Sequence, residues 1–303
     1  MSALLEMKEI EKSFNGTAVL KKVNFSVDAG EVHALMGENG AGKSTLIKIL
    51  TGIYPKDGGQ IYWCGKPVEI NNRNDATKLG IGVVYQELSL IPTLTVMQNV
   101  MLGNEESKLG FVNARKMRKQ VKDLIDKYGF GINPDSIVET LTIAQRQTVE
   151  ILKALSKESK LIIMDEPTAS LSAKESNALF GIVEQLRADG VSVIYISHRL
   201  EEVYRLSDRL TVLRDGVTEA VLNKDQIIPA DVVRLMIGKE LSEATASNNL
   251  RVSDEPVRLS VKNLTRKGVF KNISFDIHEG EIVGFAGLMG AGRTETTRAI
   301  FGA

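Results

Sequence analysis

Residues 37–45, Gly37-Glu38-Asn39-Gly40-Ala41-Gly42-Lys43-Ser44-Thr45, constrain this chain more than any other stretch. They fit the phosphate-loop pattern G-x-x-x-x-G-K-[ST]. The glycines let the backbone turn tightly, so that successive N–H groups point inward as an anion-binding nest. A helix leaving such a loop adds its positive N-terminal end. In that arrangement Lys43 reaches the β- and γ-phosphates of a nucleotide, and the Ser44 hydroxyl ligates Mg2+. The flanks agree with the motif, since residues 31–36 read as a strand entering the loop and 45–50 as a helix leaving it.

Further apolar runs read as strands buried on both faces. Residues 81–86 end at Gln86, 161–166 end at Asp165-Glu166, and 191–197 run up to His198. Residues 210–213 are a fourth run, closed by Arg214-Asp215-Gly216, and 173–188 form an amphipathic helical pattern between the second and third. Strand, helix, strand with apolar strands predicts a parallel sheet covered on both sides. Ligands bind outside the carboxyl ends of such strands. That is where Gln86, Asp165, Glu166 and His198 fall.

Before the loop, residues 4–32 alternate apolar and polar around an Asn15-Gly16 turn, which predicts a small, mostly antiparallel layer resumed at 60–63. Phe14 is placed either to stack on an adenine or to fill that layer's core. Residues 95–155 read as helical. Asn113 caps a helix with Met117, Val121, Leu124, Ile125 and Tyr128 on one face, and Arg115, Lys116, Arg118, Lys119, Lys122, Asp123, Asp126 and Lys127 between them read as a solvated face rather than a binding patch.

At 303 residues the chain suggests two domains, or one large domain and a piece. Lys+Arg and Asp+Glu both number 38, so no global charge draws it to nucleic acid or an anionic membrane surface. The lone cysteine, Cys64, excludes an internal disulfide, fits a reducing compartment and reads as a small apolar strand residue. The N-terminus carries charges where a signal peptide needs an apolar core, and the apolar run 282–292 is too short to span a bilayer. A membrane role therefore has to come through a partner. Residues 243–256 gather small polar residues and read as a linker. Beyond it the chain repeats itself. Gly30-Glu31 recurs as Gly280-Glu281, Phe25 as Phe275, and Gly37, Gly40, Ala41 and Gly42 as Gly287, Gly290, Ala291 and Gly292.

Taken in order, these motifs resemble the ATP-binding subunits of ABC transporters. Gln86 looks like the Q-loop, residues 141–147 occupy the signature position, and Asp165-Glu166 look like the end of Walker B. Ala169-Ser170-Leu171-Ser172 look like the D-loop and His198 like the switch histidine. The run Met36-Gly37-Glu38-Asn39-Gly40-Ala41-Gly42-Lys43, the run Ile194-Tyr195-Ile196-Ser197-His198-Arg199, and the fused repeat with Arg293 in place of lysine sharpen this. They resemble the double-length ATPases of bacterial ribose-, galactose- and xylose-type importers.

The resemblance implies an α/β P-loop NTPase core with a predominantly parallel sheet, an antiparallel β layer and an inserted helical subdomain at about 88–155. It implies a first ABC ATPase domain over 1–242, a linker over 243–256 and an incomplete start of a second over 257–303. ATP is expected on Phe14, Gly37, Glu38, Asn39, Gly40, Ala41, Gly42, Lys43, Ser44 and Thr45, and Mg2+ on Ser44, Gln86 and Asp165. Lys43 would neutralise the γ-phosphate, Glu166 polarise the attacking water, His198 contact the γ-phosphate, and Gln86 link nucleotide state to the helical subdomain.

Implied partners are integral-membrane permease subunits docking around 88–102 and, indirectly, a periplasmic sugar-binding protein. No nucleic acid is expected, and the site of action would be the cytoplasmic face of the inner membrane. Two departures stand out. Ile143 and Ala144 replace the glycines of L-S-G-G-Q, and Arg293 cannot repeat lysine's compact charge. In the family's composite sites both would fall together, leaving one hydrolytic and one degenerate site. The competing readings are a soluble tandem ABC ATPase acting on ribosomes or nucleic acid, and a non-hydrolysing regulatory module.

Overall fold

The computed structural model describes residues 3–86, 88–105, 107–108, 111–238, 256–287 and 291–302. They divide into two units, Met1–Glu240 and Leu241–Ala303. Most of the linker expected at 243–256 and Gly290 of the repeated loop lie outside the described residues.

The first unit opens with β1 (Ala3–Phe14) and β2 (Thr17–Asp28), a hairpin turned by Asn15 and Gly16 at φ 49° and 80°. Both turn residues take the positive φ that matches the strands' twist. β3 (Val32–Met36) leads into the phosphate loop, and α1 (Lys43–Leu50) leaves it. β4 (Gly58–Trp63) and β5 (Lys66–Val68) return to the first layer, completing an antiparallel sheet in the order β2-β1-β4-β5. Cys64 is not the apolar strand residue its neighbours suggest. It is exposed in the tight β4–β5 turn at φ 50°, because that turn needs positive φ at Cys64 and at Gly65.

α2 (Arg73–Leu79), capped by the Asn72 side chain, precedes β6 (Ile81–Val84). The helical segment then comprises α3 (Val96–Met101), the small hairpin β7 (Ser107–Lys108) and β8 (Phe111–Val112), α4 (Ala114–Tyr128) and α5 (Ile143–Leu155). Asn113 caps α4 by accepting the Lys116 amide at 3.1 Å. The helical reading of 95–155 is corrected at the β7–β8 hairpin and between α4 and α5. Gly129 ends α4 in the left-handed region at φ 66°, and Gly131 and Pro134 keep the next stretch out of helix.

β9 (Leu161–Asp165), α6 (Ala173–Ala188), β10 (Ser192–Ile196), α7 (Leu200–Leu206) and β11 (Arg209–Arg214) follow, then β12 (Val217–Asn223) and α8 (Pro229–Ile237). The second sheet runs β12-β11-β3-β10-β9-β6, and all its neighbours are parallel except β12. Its central strands β3, β10 and β9 are almost wholly apolar because both of their faces are covered. Leu161 and Ile163 pack toward α1 and the antiparallel layer, while Ile162 and Met164 pack toward α3–α6. The second unit contains the antiparallel hairpin β13 (Val257–Arg266) and β14 (Phe270–His278), and α9 (Arg293–Phe301). Residues 281–287 form no strand, and Ile282 is 97% exposed.

Candidate functional site

The carboxyl ends of β3, β6, β9 and β10 lie side by side, so their trailing loops meet. A cavity of about 420 Å3 there is lined by Val19, Asn39, Gly40, Gly42, Lys43, Ser44, Thr45, Gln86, Asp165, Glu166 and Ile196. Nine of these sites were expected from sequence; Val19 and Ile196 were not. Both are ordinary apolar strand residues, which no pattern separates from core. Gly37, Glu38 and Ala41 belong to the loop without lining the cavity. Phe14 also stands apart, at the β1–β2 hairpin tip. Its ring is 37% exposed and packs edge-on against Tyr54, centroids 5.2 Å apart, with Lys12 Nζ 5.5 Å from it.

The loop's shape depends on its glycines. Gly37 has φ 155°, and a Cβ there would sit 2.2 Å from the Leu213 carbonyl oxygen. Gly42, at φ 105°, begins α1; a Cβ there would meet Leu20 Cδ2 at 2.6 Å. Gly216 presses equally hard on Val19, a Cβ falling 2.2 Å from its carbonyl oxygen, while its own carbonyl accepts the Lys21 amide at 2.7 Å. The loop is thereby seated against β2 and the turn after β11.

Lys43 Nζ donates to the Gly37 carbonyl at 2.7 Å and the Glu38 carbonyl at 3.0 Å, closing the loop on itself. Burial holds its pKa below the ordinary lysine value, opposed by the Glu166 and Asp165 carboxylates. Asp165 is raised, first by burial and then by adjacent Glu166, with Lys43 and Lys48 acting against both. Glu166 follows β9 in the left-handed region at φ 45°, and its amide donates to the Ile196 carbonyl at 3.0 Å. Such strain in a non-glycine residue concentrates at functional sites. His198 Nδ1 lies 3.2 Å from Glu166 Oε1, and its side chain is 62% exposed, free to meet a ligand.

The donor set suits Mg2+. Ser44 hydroxyl, Gln86 amide and Asp165 carboxylate are hard oxygen donors lining one cavity, and the adjacent Asp165 and Glu166 carboxylates favour a cation. Among the described residues no group of three or more His, Cys, Asp or Glu could hold a metal by itself.

At the signature position Thr142 caps α5. Its hydroxyl accepts the Gln145 amide at 3.3 Å, and Gln145 Oε1 accepts the Thr142 amide at 3.0 Å. Arg146 clamps this turn by donating to the Val138, Leu141 and Glu139 carbonyls. Ile143 projects at the helix start, 49% exposed, where the usual glycine has no side chain. The segment behind Gln86 is tied to the same helix. Glu150 of α5 accepts the Ser89 amide at 2.6 Å and hydroxyl at 2.9 Å, and Lys153 Nζ donates to that hydroxyl at 3.1 Å. His33 is a buried structural histidine: Nδ1 meets Glu31 at 2.9 Å and Nε2 meets Thr211 at 2.7 Å.

A phosphate loop, paired carboxylates and an inserted helical segment around a parallel sheet define a P-loop NTPase cassette. Residues 20–169, within the first unit, match the family described as ABC transporter. "Ribose import ATP-binding protein RbsA" of Geobacillus kaustophilus is 44% identical over 302 residues, covering 99% of this chain and 61% of that protein. "Putative ribose/galactose/methyl galactoside import ATP-binding protein 1" of Agrobacterium fabrum is 45% identical, covering 100% of this chain and 60% of its own length. The chain thus spans about three fifths of these curated relatives. Among solved structures, the ADP conformation of MJ1267, an ATP-binding cassette of an ABC transporter, superposes with a TM-score of 0.70 at 28% identity, covering 79% of this chain and 100% of that one. The structure of cbiO1 from Clostridium perfringens, part of the ABC transporter complex cbiONQ, superposes with a TM-score of 0.68 at 27% identity, covering 80% of this chain and 97% of that one.

Proposed function

We propose that the protein binds ATP with Mg2+ in the loop cavity and hydrolyses it to power uptake of a monosaccharide through a membrane permease. The observation that carries this reading is the convergence of Lys43, Ser44, Gln86, Asp165 and Glu166 on one cavity, with His198 against Glu166. Lys43 and the loop amides bind and orient the phosphates. Ser44, Gln86 and Asp165 would hold the ion, which would supply positive charge against the transferring phosphate. Glu166 accepts a hydrogen bond from the attacking water at its carboxylate, and His198 fixes the carboxylate's orientation and contacts the γ-phosphate. Phe14, with its ring partly open, offers a face to the adenine.

The import role draws on the relatives' names, which favour a transporter over a ribosome- or nucleic-acid-bound ATPase. The protein would sit peripherally on the cytoplasmic face of the inner membrane; among the described residues no helix is long and apolar enough to cross one. Permease loops would dock near residues 88–102. A groove of about 810 Å3 lies beside that segment, between Asn74 and Thr77 of α2, Met101 of α3 and Asp123 and Lys127 of α4. A periplasmic sugar-binding protein would deliver the sugar. Ile143 at the signature and Arg293 in the second loop both depart from the hydrolytic pattern, so the reading assigns turnover to the Lys43 site. In the full-length protein assembled with its permease, Glu166→Gln should abolish steady-state ATP hydrolysis and sugar uptake while leaving ATP binding in place. Surviving turnover would remove Glu166 from its role.

A further inference from the structure

We infer that Glu202 is a positioning residue that locks the Glu166 and His198 segments into one geometry, an inference resting on the hydrolytic reading above. Glu202 lies on α7, 5% exposed, and is not among the residues lining the cavity. Its carboxylate gathers donors from both segments. Thr168, two residues past Glu166, shares its hydroxyl proton between the two oxygens at 2.7 and 2.9 Å. Ser197, the residue before His198, donates its hydroxyl at 2.9 Å, and Tyr195 of β10 donates at 2.9 Å. Arg199, the residue after His198, brings Nη1 to 3.3 Å. Ser197 Oγ in turn accepts the Arg199 amide at 3.0 Å, so His198 is bracketed on both sides.

A buried carboxylate is costly, and well-packed apolar residues of the same volume would generally be at least as stable. What an apolar residue cannot do is bind both loops at once. Thr168, Tyr195 and Ser197 are each at least nine-tenths buried, so their hydroxyls have no water to turn to, and the carboxylate fixes all three rotors. Burial first, and then the neighbouring carboxylate, pushes the Tyr195 hydroxyl up, which keeps it a donor. The separation of Glu166 and His198 is thus set from behind. Catalytic groups must be held within about 0.5 Å of their working positions, and loops need a supporting shell to do so.

The test uses the full-length protein assembled with its permease, measuring kcat, KM, ATP affinity and melting temperature for Glu202→Gln, Ser197→Ala and the double variant. Glutamine keeps the volume but offers one acceptor oxygen to the three hydroxyls and Arg199. The expected result for Glu202→Gln is a fall in kcat of about tenfold or more, with KM and ATP affinity changed less than about twofold. Ser197→Ala, which leaves the carboxylate intact, should lower kcat by a smaller factor. The double variant should be no slower than Glu202→Gln alone, because both act through one network. If Glu202→Gln does not fold, the kcat-against-KM split of Ser197→Ala decides alone. A kcat within about twofold of wild type, or a loss of ATP affinity matching the loss of rate, overturns the proposal. Wild-type protein that shows no Lys43-dependent hydrolysis would instead sink the ATPase reading itself, and is seen before any Glu202 variant is compared.

Discussion

Glu31, His33 and Arg209 show how a single buried charge is kept in place at the foot of β3. Arg209 meets Glu31 through Nε at 2.7 Å and Nη2 at 3.0 Å, while His33 and the Asp28 amide take its remaining lone pairs. Burial alone would raise Glu31, but the hydrogen bonds from His33 and Arg209 outweigh it and bring the carboxyl down to about 2. Burial holds His33 below the ordinary imidazole value, against the pull of Glu31. Both groups therefore favour folding at neutral pH and lose that contribution on acidification. His33 loses it first, as the unfolded chain takes up a proton below about 6.5; Glu31 follows as pH falls from about 4.5 toward 2. The melting temperature should drop steadily over that range, and Glu31→Gln should flatten its lower part. Arg209→Ala should cost about 3 kcal/mol in urea unfolding at neutral pH, since it strands a buried carboxylate. Lys43, Asp165, Glu166 and His198 were legible in the sequence because each sits at a fixed offset from its own strand. Glu202 was not: it lies inside an ordinary amphipathic stretch, and its key partner Thr168 is 34 positions away.

At the scale of elements, α5 joins the signature turn at its start to the segment behind Gln86 through Glu150. Asn99 of α3 holds the next residues, accepting the Ile91 amide at 2.8 Å and donating to the Ile91 and Thr95 carbonyls. A displacement of Gln86 would thus be passed to α3 and α5 together. Glu150→Ala removes two charge-assisted hydrogen bonds and should cost about 2 kcal/mol of stability. It should leave ATP affinity within about twofold while lowering the ratio of sugar-stimulated to basal ATPase activity, read in reconstituted vesicles. Strands were readable because apolar runs flanked by polar ends suit only a sheet covered on both faces. Asn113 and the Ala173–Ala188 pattern likewise marked α4 and α6. The stretch from Gly129 to Leu141 was misread as helix because its neighbours' periodicity ran on, while Gly129, Gly131 and Pro134 ended it locally.

For the molecule as a whole, the proposed permease groove offers a test separable from chemistry. Asp123→Lys and Lys157→Glu reverse charges on that surface, far in sequence from the phosphate loop. Together they should lower sugar uptake about tenfold or more in vesicles while ATP binding stays unchanged, since a mismatched charge at an interface costs association. Unchanged uptake would move docking elsewhere. The seating of the phosphate loop has a further consequence. Gly42 against Leu20 and Gly216 against Val19 leave no clearance between α1, β2 and the turn after β11. Those three segments behave as an interlocking joint with no play, so the molecule should accept added length at the β1–β2 hairpin tip and refuse it between Asp215 and Val217, where one extra residue would be felt at the nucleotide.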